Sequence, residues 1–297
     1  MPHSKLTTIF VILAIVIAAD NTYRAEIEKD RRDTDEMLRS TRSPLLLVGR
    51  FTLQEGSSSA GSDPACTIVL PAKAPAHVGT FTRHGTVISF EPALGASVTL
   101  NGKPVSTYVA LQVPAAPKPS DHIGFGDFKF YIRPISSGFT LFLTDAQSPY
   151  FKSFTGTRWF AIDPAYRVTA RFVPSPQAKT VLVPYTDGGE QAFTLSGNLE
   201  FQLAGHTLRL LGLQSPSSKS LFIMFQDQTS GKETYGGGRF LEVDMPENGK
   251  TILDFNTASN PYCAYDPYAN CPIPLKENRL ALPIRAGQKK QPETSVH

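Results

Sequence analysis

Cysteine and histidine are scarce in this chain: three and six among 297 residues. No Cys-x-x-Cys pair occurs, so the usual tetrahedral zinc designs have no ligand set, and no metal or other cofactor is expected. No charge of one sign dominates. Lys and Arg number 29 against 26 Asp and Glu, a formal net charge of +3, and they are interspersed instead of forming the dense basic stripe that phosphate backbones require. Nucleic acid is therefore not an expected partner. The Gly-x-Ser-x-Gly elbow, the His-Glu-x-x-His helix and the Gly-x-x-x-x-Gly-Lys loop are all missing, which removes the familiar serine hydrolase, zinc protease and nucleotide-phosphate designs. Past the first twenty residues no run is long and apolar enough to span a bilayer, which takes about 20 residues.

What is present begins with "MPHSKLTTIFVILAIVIAAD", where Lys5 precedes an apolar run from Leu6 to Ala19. The run is short for a membrane span, and Ala18 and Ala19 suit signal peptidase. Residues 1–19 are therefore expected to be a signal peptide cut near Ala19, with an uncleaved anchor as the alternative and the sole route to a membrane. The folded part is expected to be extracytoplasmic, either periplasmic or secreted. Residues 20–43 follow, rich in charge and free of glycine. They predict one helix with a narrow apolar face of Tyr23, Ile27, Met37 and Leu38 and a solvated charged face.

From residue 44 the texture changes to short β-branched or alternating runs punctuated by Gly, Pro, Asn and Asp. This rhythm predicts an all-β protein of sandwiches or barrels, not a βαβ sheet. The Pro- and Ser-containing "AQSPYFKSF" suggests a boundary between two β domains, 44–148 and 149–288, with 289–297 as a disordered tail.

The order "GSDPACTIVLP", "APAHVGTF", "VTLNGKPV", "DHIGFGDFKFYI" resembles a forkhead-associated sandwich over roughly residues 44 to 135. In that family a Gly-Arg, a Ser-Arg-x-His and an Asn-Gly element build a phosphothreonine pocket. Here Ser62 follows Gly61 where arginine would stand, and Ala74 and Pro75 replace the serine and arginine ahead of His77. Only His77, Asn101 and Gly102 match. With the phosphate-gripping donors replaced, phosphopeptide binding is not expected, and His77 and Asn101 are read as scaffold residues.

The densest unusual chemistry lies between Asp227 and Arg279. Tyr235 to Phe240 spell Tyr-Gly-Gly-Gly-Arg-Phe; Asp254 to Asn256 spell Asp-Phe-Asn; Asn260-Pro261, Cys263, Tyr265, Cys271-Pro272 and Asn278-Arg279 follow. With "SPLLLVGRFTLQEGSSSAGSD" and "FTGTRWFAIDPAYRVTARF", this resembles the family catalogued as domain of unknown function 1684, over nearly the whole mature chain. Phe142 departs from the pattern, since relatives tend to carry arginine at that point of the strand. The resemblance implies no activity.

Read physically, Gly236, Gly237 and Gly238 sit in or beside the connection of a hairpin joining "LFIMFQD" to "RFLEVD". They are either a bulge or bend, or a place where backbone amides and the Arg239 guanidinium meet an anion. Asp254 and Asn256 are two apart, so on a strand they share a face opposite Phe255 and either line a pocket or cap the next loop. Asn260, Tyr265 and Asn278 add hydrogen-bonding capacity suited to recognition. Four prolines between Asn260 and Pro274 stiffen that loop. Cys263 and Cys271 are expected to form a disulfide closing it, and Cys66 to be a buried free thiol. A thiol nucleophile at Cys263 would need a base, and His206, the nearest histidine in sequence, belongs to a different strand signal.

The function expected from these residues is binding of a small, partly anionic molecule in the carboxy-terminal domain. Tyr235, Gly236, Gly237, Gly238, Arg239, Asp254, Asn256, Asn260, Tyr265 and Asn278 are the candidate site, with Phe240 and Phe255 as walls. The alternative is a hydrolase with Asp227 or Asp254 as general base. A purely structural envelope protein would leave all of these residues as core or turn chemistry.

Overall fold

The computed structural model describes residues 3–114, 118–135, 138–214 and 218–292; the side chains of 3–19 and of residue 178 lie outside the description. The leader expected over 1–19 and the last residues of the expected tail, 293–297, fall largely or wholly on those undescribed parts. The chain is mostly β and divides into two compact units, one formed by residues 41–154 and the other by 155–295 together with 1–40.

Among the described residues of the 41–154 unit the predicted punctuation becomes eleven strands: β1 (Leu47–Leu53), β2 (Gly56–Gly61), β3 (Ile68–Val69), β4 (Gly79–His84), β5 (Val87–Pro92), β6 (Val98–Leu100), β7 (Lys103–Val105), β8 (Val109–Leu111), β9 (His122–Phe125), β10 (Phe128–Ile135) and β11 (Gly138–Asp145). They form two sheets, ordered β1-β11-β10-β9-β6-β7 and β3-β2-β4-β5-β8. Period-2 alternation decides what is inside: Phe128, Phe130 and Ile132 of β10 face the core, where Phe130 meets Phe81 edge-on at 5.3 Å. Asn101 (φ +52°) and Gly102 (φ +81°) supply the paired left-handed conformations that a two-residue β6–β7 hairpin requires. Asn101 also donates to Asp121 at 2.6 Å and accepts from His122 N at 3.0 Å.

The other unit is built on one sheet of six strands: β12 (Arg167–Pro184), β13 (Glu190–Leu203), β14 (His206–Gln214), β15 (Ser220–Phe225), β16 (Arg239–Asp244) and β17 (Lys250–Asp254), in the order β16-β15-β14-β13-β12-β17. Its edge strands β16 and β17 lie side by side, so the sheet nearly closes into a barrel. The interior is filled by fully buried side chains such as Leu199, Leu210, Ile223, Phe225, Leu253 and Phe255. "YRVTARFV" and "KTVLVPY", separate strands in the sequence reading, are one strand. The β12–β13 register slips between Pro174 and Lys179, where Pro174 and Pro176 lack the N–H needed to continue the ladder.

Helix α1 runs over His3–Leu38 in one piece. Among the described residues no helix is long and apolar enough to cross a membrane. Tyr23, Ile27, Arg31 and Leu38 recur at helical spacing, and Ile27 and Leu38 are buried. The charges on this face are not simply solvated, as the sequence suggested. Arg31 donates to the Phe160 carbonyl at 3.1 Å and lies 4.8 Å over the Trp159 ring, Arg24 reaches the Ile162 carbonyl at 3.2 Å, and Asp35 accepts from Thr157 N at 2.9 Å. The helix is thus part of the unit whose strands begin more than a hundred residues later.

Candidate functional site

The three glycines open β16. Strands β15 and β16 pair as the expected hairpin, with Phe225 opposite Arg239. Of the three, only Gly238 has a left-handed backbone, at φ +92°. A Cβ there would stand 2.6 Å from the Phe225 carbonyl oxygen and 2.7 Å from Pro274 Cγ. At Gly236 the nearest atom would be 3.6 Å away, and at Gly237 a Cβ would press the movable Tyr235 ring at 2.4 Å. The bend is therefore demanded at one glycine and merely allowed at the others.

Arg239 follows the bend and points inward, 1% exposed. Its Nη2 donates to Asp227 Oδ2 at 2.8 Å and to the Ile284 carbonyl at 2.9 Å; Nη1 donates to the Ala286 carbonyl, and the guanidinium lies 5.2 Å over the Phe225 ring. Burial pulls the Arg239 pKa down, and the Asp227 carboxylate opposes this. Asp227 Oδ1 accepts from Thr229 N at 2.7 Å, Thr229 Oγ1 at 2.6 Å and Ile284 N at 3.2 Å. The expectation that Arg239 meets an external anion is thereby corrected: its charge is spent on Asp227, inside the unit. Asp227 is equally committed, which removes it as a general base.

Asp254 and Asn256 do not share a strand face. Strand β17 ends at Asp254, whose Oδ1 caps the following 3-10 turn by accepting from Asn256 N at 3.0 Å. Asn256 is fully buried: Oδ1 accepts from Asp163 N at 3.0 Å, and Nδ2 donates to the Asp163 carbonyl at 2.9 Å and to the Tyr23 hydroxyl at 3.0 Å. Tyr23 in turn donates to Asp254 Oδ2 at 2.8 Å. Burial, and then Asp254, raise the Tyr23 pKa, so this hydroxyl stays protonated and fastens α1 to the barrel. Asp254 thus caps the turn and anchors the helix. Phe255 belongs to the core and is no pocket wall.

The remaining candidates fall into other clusters. Asn260 N donates to Gln288 Oε1 at 2.6 Å and Asn260 Nδ2 to the Lys289 carbonyl at 2.9 Å; Tyr265 accepts from Gln288 Nε2. Asn278 bridges two strands, accepting from Leu211 N at 2.6 Å and donating to the Met224 carbonyl at 2.9 Å. Tyr235 donates to the Cys263 carbonyl at 3.2 Å. The ten candidates are therefore spread over separate clusters, within which most of the polar groups bond to the protein itself. Cys263 and Cys271 are free thiols, not a disulfide, with Cys263 N donating to Cys271 Sγ at 3.2 Å. Cys66 is free and buried. Among the described residues no group of three or more His, Cys, Asp and Glu could hold a metal ion.

Two features escaped the sequence reading. Asp266, within the proline-rich loop, is 1% exposed, and its Oδ1 accepts from Tyr268 N at 2.7 Å. Burial pushes its carboxyl up to about 7, against the opposing amides of Tyr268 and Ala269. An unfolded aspartate titrates near 3.9. The folded chain therefore holds a proton that the unfolded chain has released, and stability is expected to fall as pH rises from about 4 to about 7. Melting curves between pH 5 and 8 test this: Asp266→Asn should flatten the slope, and an unchanged slope would assign it to another group.

The second feature is an open cleft of about 560 Å³ lined by Arg158, Phe160, Lys232, Glu233, Lys289 and Lys290. Backbone bonds build it: Lys289 N donates to the Arg158 carbonyl at 2.7 Å, Lys290 N to the Glu233 carbonyl at 2.9 Å, and Phe160 N to the Gly287 carbonyl at 2.9 Å. Residues 289 and 290, expected to start a disordered tail, are thus held in place. Lys289 Nζ lies 4.7 Å over the Phe160 ring. The Glu233 carboxylate is turned to Arg285, which binds it through Nε at 3.0 and 3.1 Å. The available signal was the Lys-Lys pair, which a terminal position disguised.

A nearly closed six-stranded β unit carrying a Tyr-Gly-Gly-Gly-Arg hairpin and a proline-rich loop defines the class of this half of the chain. Residues 152–289 match the family described as Protein of unknown function (DUF1684). The match is narrower than the whole-chain resemblance read from the sequence. Among solved structures, the chain is similar to the solution NMR structure of the uncharacterized protein from gene locus rrnAC0354 of Haloarcula marismortui. The two are 31% identical over 48% of this chain and 80% of that one, with a TM-score of 0.41. No curated protein matches the chain.

Proposed function

We propose that the carboxy-terminal unit binds a small multivalent anion in the cleft bounded by Arg158, Phe160, Lys232, Lys289 and Lys290. One observation carries this reading: four cationic side chains line a single cleft with one carboxylate, and that carboxylate is already bound by Arg285. The volume of about 560 Å³ is in the range of small-ligand sites. The Phe160 ring supplies an apolar floor, and the backbone bonds that fix 287–290 preorganise two of the lysines. The site lies beside the Lys232-Glu233 end of the glycine hairpin, not on Arg239.

Titration calorimetry with inorganic pyrophosphate and with citrate tests the proposal. Binding should weaken with salt. The double variant Lys232→Gln, Lys289→Gln should lose roughly 1 to 2 kcal/mol, about 5- to 30-fold in affinity, as expected for solvent-screened charges. Absence of binding by either anion at low salt, or unchanged affinity in the double variant, would overturn it.

By the same reasoning we infer that the 41–154 sandwich is a forkhead-associated-like scaffold that does not read phosphopeptides. Supporting this, Ser62 Oγ donates to the Ala74 carbonyl at 2.8 Å, and Asn101 is occupied with Asp121 and His122 at the start of β9.

A further inference from the structure

The proline-rich loop brings two thiols together at unequal depth. Cys271 is 5% exposed and pinned on both sides of its backbone to Thr186, its N donating to Thr186 Oγ1 at 3.1 Å and its carbonyl accepting from Thr186 N at 3.0 Å. Cys263 is only half-buried, on the 3-10 turn Tyr262–Ala264, and its amide contacts Cys271 Sγ at 3.2 Å. Tyr235, at the head of the glycine bend, shares its one hydroxyl proton between the Cys263 carbonyl at 3.2 Å and Cys263 Sγ at 3.5 Å. A hydroxyl donor, a neighbouring thiol and partial access therefore meet on one sulfur. Neither the anion cleft nor the Arg239–Asp227 pair uses any of these groups.

We propose that Cys263 is a site of reversible oxidation by hydroperoxides, with Cys271 as its resolving thiol and Tyr235 as a positioning residue. In the first step the Cys263 thiolate attacks the terminal peroxide oxygen. An S–O bond forms, the O–O bond breaks, and the departing oxygen takes up a proton and leaves as water or an alcohol. In the second step Cys271 Sγ attacks the Cys263 sulfenic acid. The S–S bond forms, the S–O bond breaks, and the hydroxyl leaves as water with the Cys271 proton. Two thiols lose two electrons, and one peroxide is reduced.

The division of labour follows from the geometry. Reaction with a peroxide needs access, which Cys263 has and Cys271 lacks. It also needs a thiolate, and donors from Cys271 and then from Tyr235 hold the Cys263 thiol down at about 7 against the effect of burial. Burial and the Cys263 sulfur both raise the Tyr235 pKa, so this phenol remains a donor at neutral pH. The hydrogen bond with Cys263, and then burial, push the Cys271 thiol up, which keeps it protonated until it is called on to resolve.

The experiment uses the full reduced chain and hydrogen peroxide at pH 7, with dimedone trapping and mass mapping of non-reduced peptides. The wild type should lose two hydrogens and yield a Cys263–Cys271 linkage that thiol reductant reverses, with Cys66 unmodified. Cys271→Ser should accumulate a dimedone adduct on Cys263, whereas Cys263→Ser should leave Cys271 unlabelled. With its thiol lowered toward neutrality, Cys263 should be alkylated at a lower pH than free cysteine and should react with peroxide faster than free cysteine at pH 7. Tyr235→Phe should shift the pH profile of alkylation upward, which a purely structural role would not do. Preferential dimedone labelling of Cys271 or Cys66 in the wild type or in Cys271→Ser would overturn the proposal. So would a Cys263 reaction slower than that of free cysteine, or a pH profile identical in Tyr235→Phe.

Discussion

Replacing Asp227 by alanine is expected to destabilise the carboxy-terminal unit by about 3 to 5 kcal/mol, the cost of leaving the Arg239 guanidinium buried without its counter-charge. At about 2 to 4 °C per kcal/mol for a unit of this size, the melting point should fall by roughly 6 to 20 °C. Arg239→Met should cost a similar amount, because Asp227 is then stranded and the Ile284 and Ala286 carbonyls lose their donor. The double variant Asp227→Ala, Arg239→Met should be more stable than the sum of the two single losses predicts, because neither charge is then left buried without its partner. Buried pairs replaced together by apolar residues are often nearly neutral, and contacting residues show coupling of 0.5–3 kcal/mol. Urea denaturation of the four proteins tests this. Strictly additive losses would show that the two side chains do not act as a pair. A fully stable Arg239→Met would return the arginine to a binding role.

Gly238→Ala is the second large effect. Residues forced into sparsely populated backbone regions cost about 1–3 kcal/mol, and here the added Cβ would also meet the Phe225 carbonyl at 2.6 Å. That carbonyl belongs to the β15–β16 ladder and cannot withdraw without breaking it. A total loss of about 2 to 4 kcal/mol is expected. Gly236→Ala, two residues away, should stay within about 0.5 kcal/mol, since its nearest contact would be an ordinary 3.6 Å. Equal melting points for the two variants would mean that the bend tolerates a side chain anywhere along the run.

These two experiments address a question the sequence poses and leaves open. A glycine run ahead of an arginine fits both an anion cradle and a tight bend, because either use needs the same absence of Cβ. The choice depends on what lies opposite. Here it is the Phe225 carbonyl and Pro274 at Gly238, and Asp227 at Arg239, from positions 12 or more residues away. The Asp-Phe-Asn block behaves alike: period 2 puts its polar residues on one face only while the strand continues, and β17 stops at Asp254.

The sequence by itself determined the all-β class, the β15–β16 hairpin and the buried alternation of β10, because period, turn residues and strand propensity are local and survive in any context. It also pointed to a helix over 20–43, since no glycine or proline interrupts it, and the structure forms that helix as far as Leu38, with 39–43 turning away. Only the tertiary structure decided where that helix docks, since the partners of Tyr23, Arg31 and Asp35 lie more than a hundred residues away in sequence. It alone distributed the ten candidate residues over separate clusters, and it alone gathered Arg158, Lys232 and Lys289 around one cleft. A side chain's chemistry is written in the sequence, but its partner is set by loop closure and burial across the fold. A buried charge takes whichever counter-charge the closed structure brings within reach.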